Sequence, residues 1–208
     1  MSVIGKLATS LGRRDENPNI DLAKQIAAAN NKKAIAELVG HLNDKNKDIR
    51  HDCIKTIYET GYIKPQLISS HVDEYIKQLH SKSNRMQWGA MTALSSIVKE
   101  KPKELYKALP TLIDIANKGS VITKDHYVNI LVGLCSDKNY YTKTFPLLLE
   151  QLLKSATNQL PKYAEQTSAI VAEKDKTSLI KTLNSRVDDV ETPTKKARLE
   201  KVIKKLSK

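Results

Sequence analysis

Residues able to do chemistry are sparse in this chain, and their spacing narrows what chemistry is open to them. Five histidines are the natural metal ligands. None stands in an H-E-x-x-H or other ligand spacing, so neither a metal site nor a cofactor is expected. Cys53 and Cys135 lie far apart in apolar, helix-patterned runs and read as core thiols. No Gly-rich phosphate loop occurs, and "KGS" at 118–120 reads as a helix end stopped by Gly119. No catalytic residue is assigned. What remains is a set of polar and aromatic residues around the single tryptophan, Trp88. His51, Trp88, Asp125 and Lys162 recur at intervals of 37 residues, as do Lys55, Thr92, Asn129 and Gln166. A third row begins at Tyr58 and continues through Ser95, Val132 and Ala169. Cation, aromatic ring and anion in such rows suit recognition of a partner, provided that one surface gathers them.

The elements that would gather them are helices. The 208 residues include seven Gly, seven Pro, one Phe and one Trp, with Ala, Leu, Ile and Lys dominant. That is helical composition, poor in the aromatics and turn residues of a β-sandwich or barrel. "HLNDKNKDIRHDCIKTIYETGYIKP" at 41–65 matches "QLHSKSNRMQWGAMTALSSIVKEKP" at 78–102 after a shift of 37. Leu42 falls on Leu79, Ile49 on Met86, Cys53 on Ala90, Ile54 on Met91 and Ile57 on Leu94, and both segments end in Lys-Pro. Two further shifts keep the frame without gaps. Each unit reads as two amphipathic helices. The first helices are predicted at 31–42, 66–80, 104–118 and 141–155, the second at 47–60, 84–99, 122–136 and 159–171.

A lone helix pair cannot bury its apolar faces, whereas stacked pairs can. The run Asp44, Ile49-Arg50, Cys53, Ile57 resembles the HEAT-repeat signature over about residues 30–172, although Gln87 stands in the second unit where Arg50 stood. The 37-residue period is also shorter than the family's usual ~40–47. The resemblance implies an all-α, right-handed α-solenoid of about four HEAT-like hairpins with helical caps. The chain is then a single domain: cap 1–29, repeats 30–172, and a C-terminal helical cap with a basic tail at 173–208. It also implies that the second helices line a concave surface.

The register sets Trp88 apart from the core. With Met86 at zero and about 100° per residue, Ile97, Ala90 and Leu94 fall at about 20°, 40° and 80°, and Trp88 at about 200°. The indole therefore leaves the polar side of its helix. The expected binding set on the concave face is His51, Lys55, Tyr58, Trp88, Thr92, Asp125, Asn129, Lys162 and Gln166. Residues 1–29 are the segment that would cover part of it.

The net charge of +12 admits an acidic protein, nucleic acid or an anionic surface as partner, but half of it sits in the last fourteen residues. The body is only mildly basic. The function expected is that of a non-enzymatic scaffold or adaptor for a protein or peptide. The alternative is a DNA-binding protein, since Trp88 and Asp125 give a weaker similarity to HEAT-like alkylpurine DNA glycosylases. In those, groove tryptophans hold the modified nucleotide and an aspartate stabilises the cationic sugar. Here Trp88 stands alone, and Thr92 occupies the place four residues on. No apolar leader and no membrane-spanning run is read, and two unpaired cysteines fit a reducing compartment, so the cytoplasm is the expected location.

Overall fold

The computed structural model describes residues 2–207, and among them helix is the only regular secondary structure. The chain divides into two compact units, residues 1–127 and 128–208. In the first unit, 3-10 turns at Ile4–Lys6 and Thr9–Leu11 precede α1 (Asn17–Ala28), α2 (Lys32–Gly40), α3 (Lys47–Ile63) and α4 (Pro65–Ile68). There follow α5 (Val72–Gln78), α6 (Asn84–Ser96), α7 (Pro102–Lys107), α8 (Leu109–Lys118) and the start of α9 (Val121–Cys135). The second unit holds the rest of α9, then α10 (Lys138–Lys154), α11 (Leu160–Ser168), α12 (Lys176–Asn184) and α13 (Pro193–Leu206).

The helix starts are written in local chemistry. Asn31, Asn46 and Ser83 each accept a backbone N–H of the first turn, from Ala34, Asp48 and Met86. Pro65 and Pro102 begin α4 and α7, where a missing N–H costs nothing. As a result α3 and α6 start 37 residues apart, at Lys47 and Asn84. Two helices predicted as continuous are broken. The 66–80 stretch is α4 and α5 separated by a 3-10 turn, Ser69–His71, and Tyr75 Oη donates to the Ile68 carbonyl at 3.0 Å across the break. The 104–118 stretch breaks at Ala108, because Pro110 lies in the first turn of α8 and cannot continue the ladder of α7.

In the first unit α1, α3 and α6 pack side by side in chain order, with α2 against α3 and α5 against α6. The predicted core stripe of α6 is inside: Met86, Ala90, Leu94 and Ile97 have no exposed surface. Close approach of α3 and α6 depends on Gly89, where an added Cβ would lie 2.8 Å from Ile54 Cγ1. The residues that carried the family resemblance close the α2–α3 turn. Arg50 Nη1 donates to the Asp44 and Lys45 carbonyls at 2.5 and 3.3 Å, while Asp44 takes the Asn46 N–H and pairs with His41. Cys53 and Ile57 sit beneath, fully buried.

In the second unit α10 packs on α11, α12 on α10, and α13 on both α11 and α12. In the C-terminal segment α12 and α13 thus pack against each other. Leu199, Val202 and Leu206 of α13 are buried, Ile203 is half-buried, and Arg198 holds Glu165 of α11 through two bonds of 2.9 and 2.7 Å. The connecting Arg186 donates to the Leu152, Leu153 and Ser155 carbonyls at the end of α10, at 2.8, 2.5 and 3.1 Å. No helix among the described residues is long and apolar enough to cross a membrane.

Candidate binding surface

The exposed side of α3 and α6 carries the tryptophan and most of the charge organised around it. Trp88 is half-buried. Its ring meets Tyr58 at a centroid distance of 5.9 Å and an angle of 53°, and the Arg85 guanidinium lies 5.9 Å from its centre. Tyr58 in turn meets Tyr62 edge-on at 6.0 Å. Tyr62 and its neighbour Ile63 are more than half exposed, at 54% and 53%. Lys55 Nζ stands 5.0 Å from the Tyr58 ring. The result is a strip of Tyr62, Tyr58, Trp88 and Arg85 across two successive helices.

In the first unit side chains of neighbouring helices meet across intervals shorter than 37. His51 Nε2 lies 3.1 Å from Ser83 Oγ, thirty-two residues on, and Ser95 Oγ lies 2.9 Å from His126 Nδ1, thirty-one residues on. Tyr58 faces Trp88, thirty residues on. In the second unit the frame is kept: Gln166 Nε2 donates to Asn129 Oδ1 at 2.7 Å, 37 residues apart. Asp125 is half-buried on α9 in the first unit, and Lys162 is exposed on α11 in the second.

Three of the expected surface residues are inside. Lys55, Tyr58 and Thr92 are 8%, 5% and 1% exposed. Thr92 Oγ1 turns back to donate to the Trp88 carbonyl at 2.7 Å. Lys55 and Tyr58 lie where the N-terminal segment comes down on α3. That segment is anchored by a buried network: Asp52 accepts from the Thr9 N–H and from Asn19 Nδ2, both at 2.7 Å, and Asn19 Oδ1 accepts the Ala8 N–H at 3.0 Å. Every polar atom of this pairing is matched, as burial demands. Leu7 and Ala8 fill the space beneath.

From this segment Glu16 reaches over the strip. Its Oε2 lies 3.0 Å from Lys55 Nζ, and its Oε1 accepts from Arg85 Nη2. Lys55 also pairs with Glu59 at 2.8 Å. Burial alone would raise the Glu16 carboxyl, but Lys55 and Arg85 outweigh it and hold the group below its ordinary value. Burial likewise works against the Lys55 ammonium, and Glu59, Tyr58 and Glu16 together keep it above its ordinary value. His51 is pushed below the usual histidine value by burial and then by the positive charge of Arg85, so its imidazole is neutral at neutral pH. Beside Glu16 and Arg85 opens a cleft of about 420 Å³, lined also by Arg13, Arg14, His51 and Asp48. Glu16 and Tyr62 escaped the sequence reading. Nothing local in the charged stretch "GRRDENPN" at 12–19 says which helix it crosses.

No group of three or more metal-ligating side chains occurs among the described residues. Burial pushes the Cys53 thiol up to about 12 and that of Cys135 up to about 11. Both are poor nucleophiles in the fold.

No family model matches the chain, and no curated protein matches it. Among the solved structures similar to it are two, each described as the crystal structure of an engineered protein from the Northeast Structural Genomics Consortium. The first is 17% identical with a TM-score of 0.64, over 100% of this chain and 97% of that one. The second is 16% identical with a TM-score of 0.64, over 99% of this chain and 100% of that one. At such identity the likeness is one of fold alone, and the fold is all-α.

Proposed function

We propose that this protein is a non-enzymatic adaptor built as a HEAT-like α-solenoid, and that it holds a protein or peptide partner on the α3–α6 face. The solenoid reading is supported by the ordered packing of α1, α3 and α6, and by the Asn129–Gln166 bond one repeat apart. In this reading residues 1–29 cap the array, α12 and α13 close it, and the protein works in the cytoplasm. The observation that carries the partner reading is the strip Tyr62–Tyr58–Trp88–Arg85. Tyr, Trp and Arg are the residues that dominate binding energy at protein interfaces. An exposed Tyr62 beside a half-buried Trp88 offers aromatic area already held in place, so little side-chain entropy is lost on binding.

The test is photo-cross-linking. A photoreactive phenylalanine at Tyr62 should capture a defined partner in a native extract, and Trp88→Ala should reduce that capture at least tenfold. Capture that is indifferent to Trp88→Ala sinks the reading. Duplex DNA titrated across salt addresses the rival class: tight binding with steep salt dependence would favour a DNA-binding protein instead.

A further inference from the structure

Glu16 sits in a short span between two anchors. Before it, Ala8 and Thr9 are bonded to Asn19 and Asp52, and after it Asn19 itself is buried. Residues 11–14 between them are exposed, and Gly12 turns the chain with a φ of 68°. Glu16 caps α1, its carbonyl accepting the Asn19 and Ile20 N–H groups at 3.1 Å, so its side chain alone needs to swing aside while the backbone stays docked. Its carboxylate joins cations from two successive helices, Lys55 and Arg85. The two cations are unequal. Lys55 keeps Glu59 if Glu16 leaves. Arg85 has no second acid partner among the described residues, and its Nε is already buried without a hydrogen bond. Arg85 thus takes its charge-assisted bond from Glu16 alone, beside the Trp88 ring.

We propose that Lys55 and Arg85, with Trp88 and Tyr58 beside them, form a carboxylate-recognition site that Glu16 fills in the free protein and an acidic side chain of the peptide partner takes over. The proposal rests on the peptide-binding reading above and specifies the partner's chemistry: a Glu or Asp next to an apolar side chain that covers Tyr62 and Trp88. One carboxylate replaces another, so the charge-assisted bonds are conserved across the exchange. A partner without the acid would leave Arg85 stranded, and this gives selectivity at some cost in affinity. The surroundings favour a single carboxylate over a phosphodiester chain. Glu59 already neutralises Lys55, Asp15 holds Arg13 at 2.7 Å, and Asp48 lines the same cleft. Repeated phosphates would meet these carboxylates, whereas one incoming acid leaves the local balance as it was.

Trp88 is the only tryptophan in the chain and reports on the site directly. The full-length protein and its E16Q and E16A variants are titrated with the peptide acetyl-Ala-Leu-Glu-Leu-Ala-amide and with its glutamine counterpart, following Trp88 emission. The glutamate peptide is expected to shift the emission of both variants at a concentration at least tenfold lower than for wild type. The glutamine peptide should shift none of them in that range. Adding Arg85→Ala to E16Q should abolish the response while the helical circular dichroism is kept. Equal titrations of wild type and variants, or equal responses to the two peptides, overturn the proposal. So does tighter binding of E16Q to a DNA duplex than to the glutamate peptide. Should a partner cross-link through Tyr62 yet bind E16Q and wild type alike, the adaptor reading stands and the carboxylate site falls.

Discussion

The Tyr58 ring and the Trp88 indole meet at 5.9 Å, inclined at 53°, from helices whose sequences place them thirty residues apart. Tyr58 is buried and Trp88 is half-buried, so the contact marks the border between core and surface. The stability of the fold should depend on Trp88 only in part. Trp88→Ala is expected to cost about 1–2 kcal/mol, against roughly 3–5 for a fully buried aromatic. Its emission should lie between the buried and exposed limits, and acrylamide should quench it. Blue-shifted, protected emission with severe destabilisation would place the indole in the core and remove it from the binding strip.

The α3–α6 contact gives a second prediction with a defined sign. In an open helix Gly→Ala stabilises by about 0.5–1 kcal/mol. At Gly89 the added Cβ would lie 2.8 Å from Ile54 Cγ1, within a packed interface of side chains already in place. Overpacking of this kind costs about 1–3 kcal/mol, which exceeds the gain in propensity. Gly89→Ala should lower the melting temperature, and Ile54→Ala, which removes both γ carbons the new methyl would meet, should cost less in the Gly89→Ala background than in wild type. A stabilised Gly89→Ala would mean that α6 shifts freely on α3.

These two sites show what the sequence could and could not convey. The period of 37 is legible because the start of each helix is set locally: Asn46 and Ser83 cap α3 and α6, and Pro65 and Pro102 open the helices that follow. The inward face of α6 is legible from its angular pattern, and Met86, Ala90, Leu94 and Ile97 are all buried. Which side chains of α3 and α6 meet is another matter. It depends on how Gly89 and Ile54 interlock, and equal sequence spacing carries no such information. So His51 meets Ser83 and not the position one frame ahead. Lys55 has the charge of a surface residue, yet it is buried by a carboxylate from thirty-nine positions earlier. Helical periodicity describes one helix at a time and cannot place a loop from elsewhere on it.

The two cysteines should be silent. Cys53 has no exposed surface and Cys135 has 4%, and burial raises both thiols well above neutrality. Ellman's reagent should label neither in the native protein at pH 8 and both in guanidinium chloride. Rapid native labelling of either thiol would show local opening of the helix that carries it.

The basic C-terminal helix is expected to be part of the fold. Cutting the chain before Thr194 removes Leu199, Val202 and Leu206 from the core, together with the Arg198–Glu165 pair. Burial of three such side chains contributes about 5–8 kcal/mol gross, less the entropy of ordering the helix. The truncated protein should melt well below the full chain. An unchanged melting temperature would make α13 a loosely held arm.

The Glu16 bridge predicts how stability depends on acid. Its carboxyl is held below the ordinary glutamate value of 4.5 by Lys55 and Arg85, against the opposing effect of burial. The folded state therefore binds this proton more weakly than the unfolded chain. The sign follows: the contribution is complete above about pH 4.5 and is lost as pH falls through the lower folded value. Because the Glu16 side chain is 40% exposed, solvent screening keeps the effect small, under about 1 kcal/mol at neutral pH. Wild type should melt slightly above E16Q at pH 7, and the gap should narrow as pH falls below 4.5. Raising the salt concentration at pH 7 should narrow the same gap. Trp88 emission should shift over the acid range in wild type and stay flat in E16Q, since Arg85 beside the indole loses its partner only where Glu16 takes up a proton. A gap that neither narrows below pH 4.5 nor responds to salt would show that position 16 acts through packing, and that the Lys55–Arg85 pair does not bind its charge.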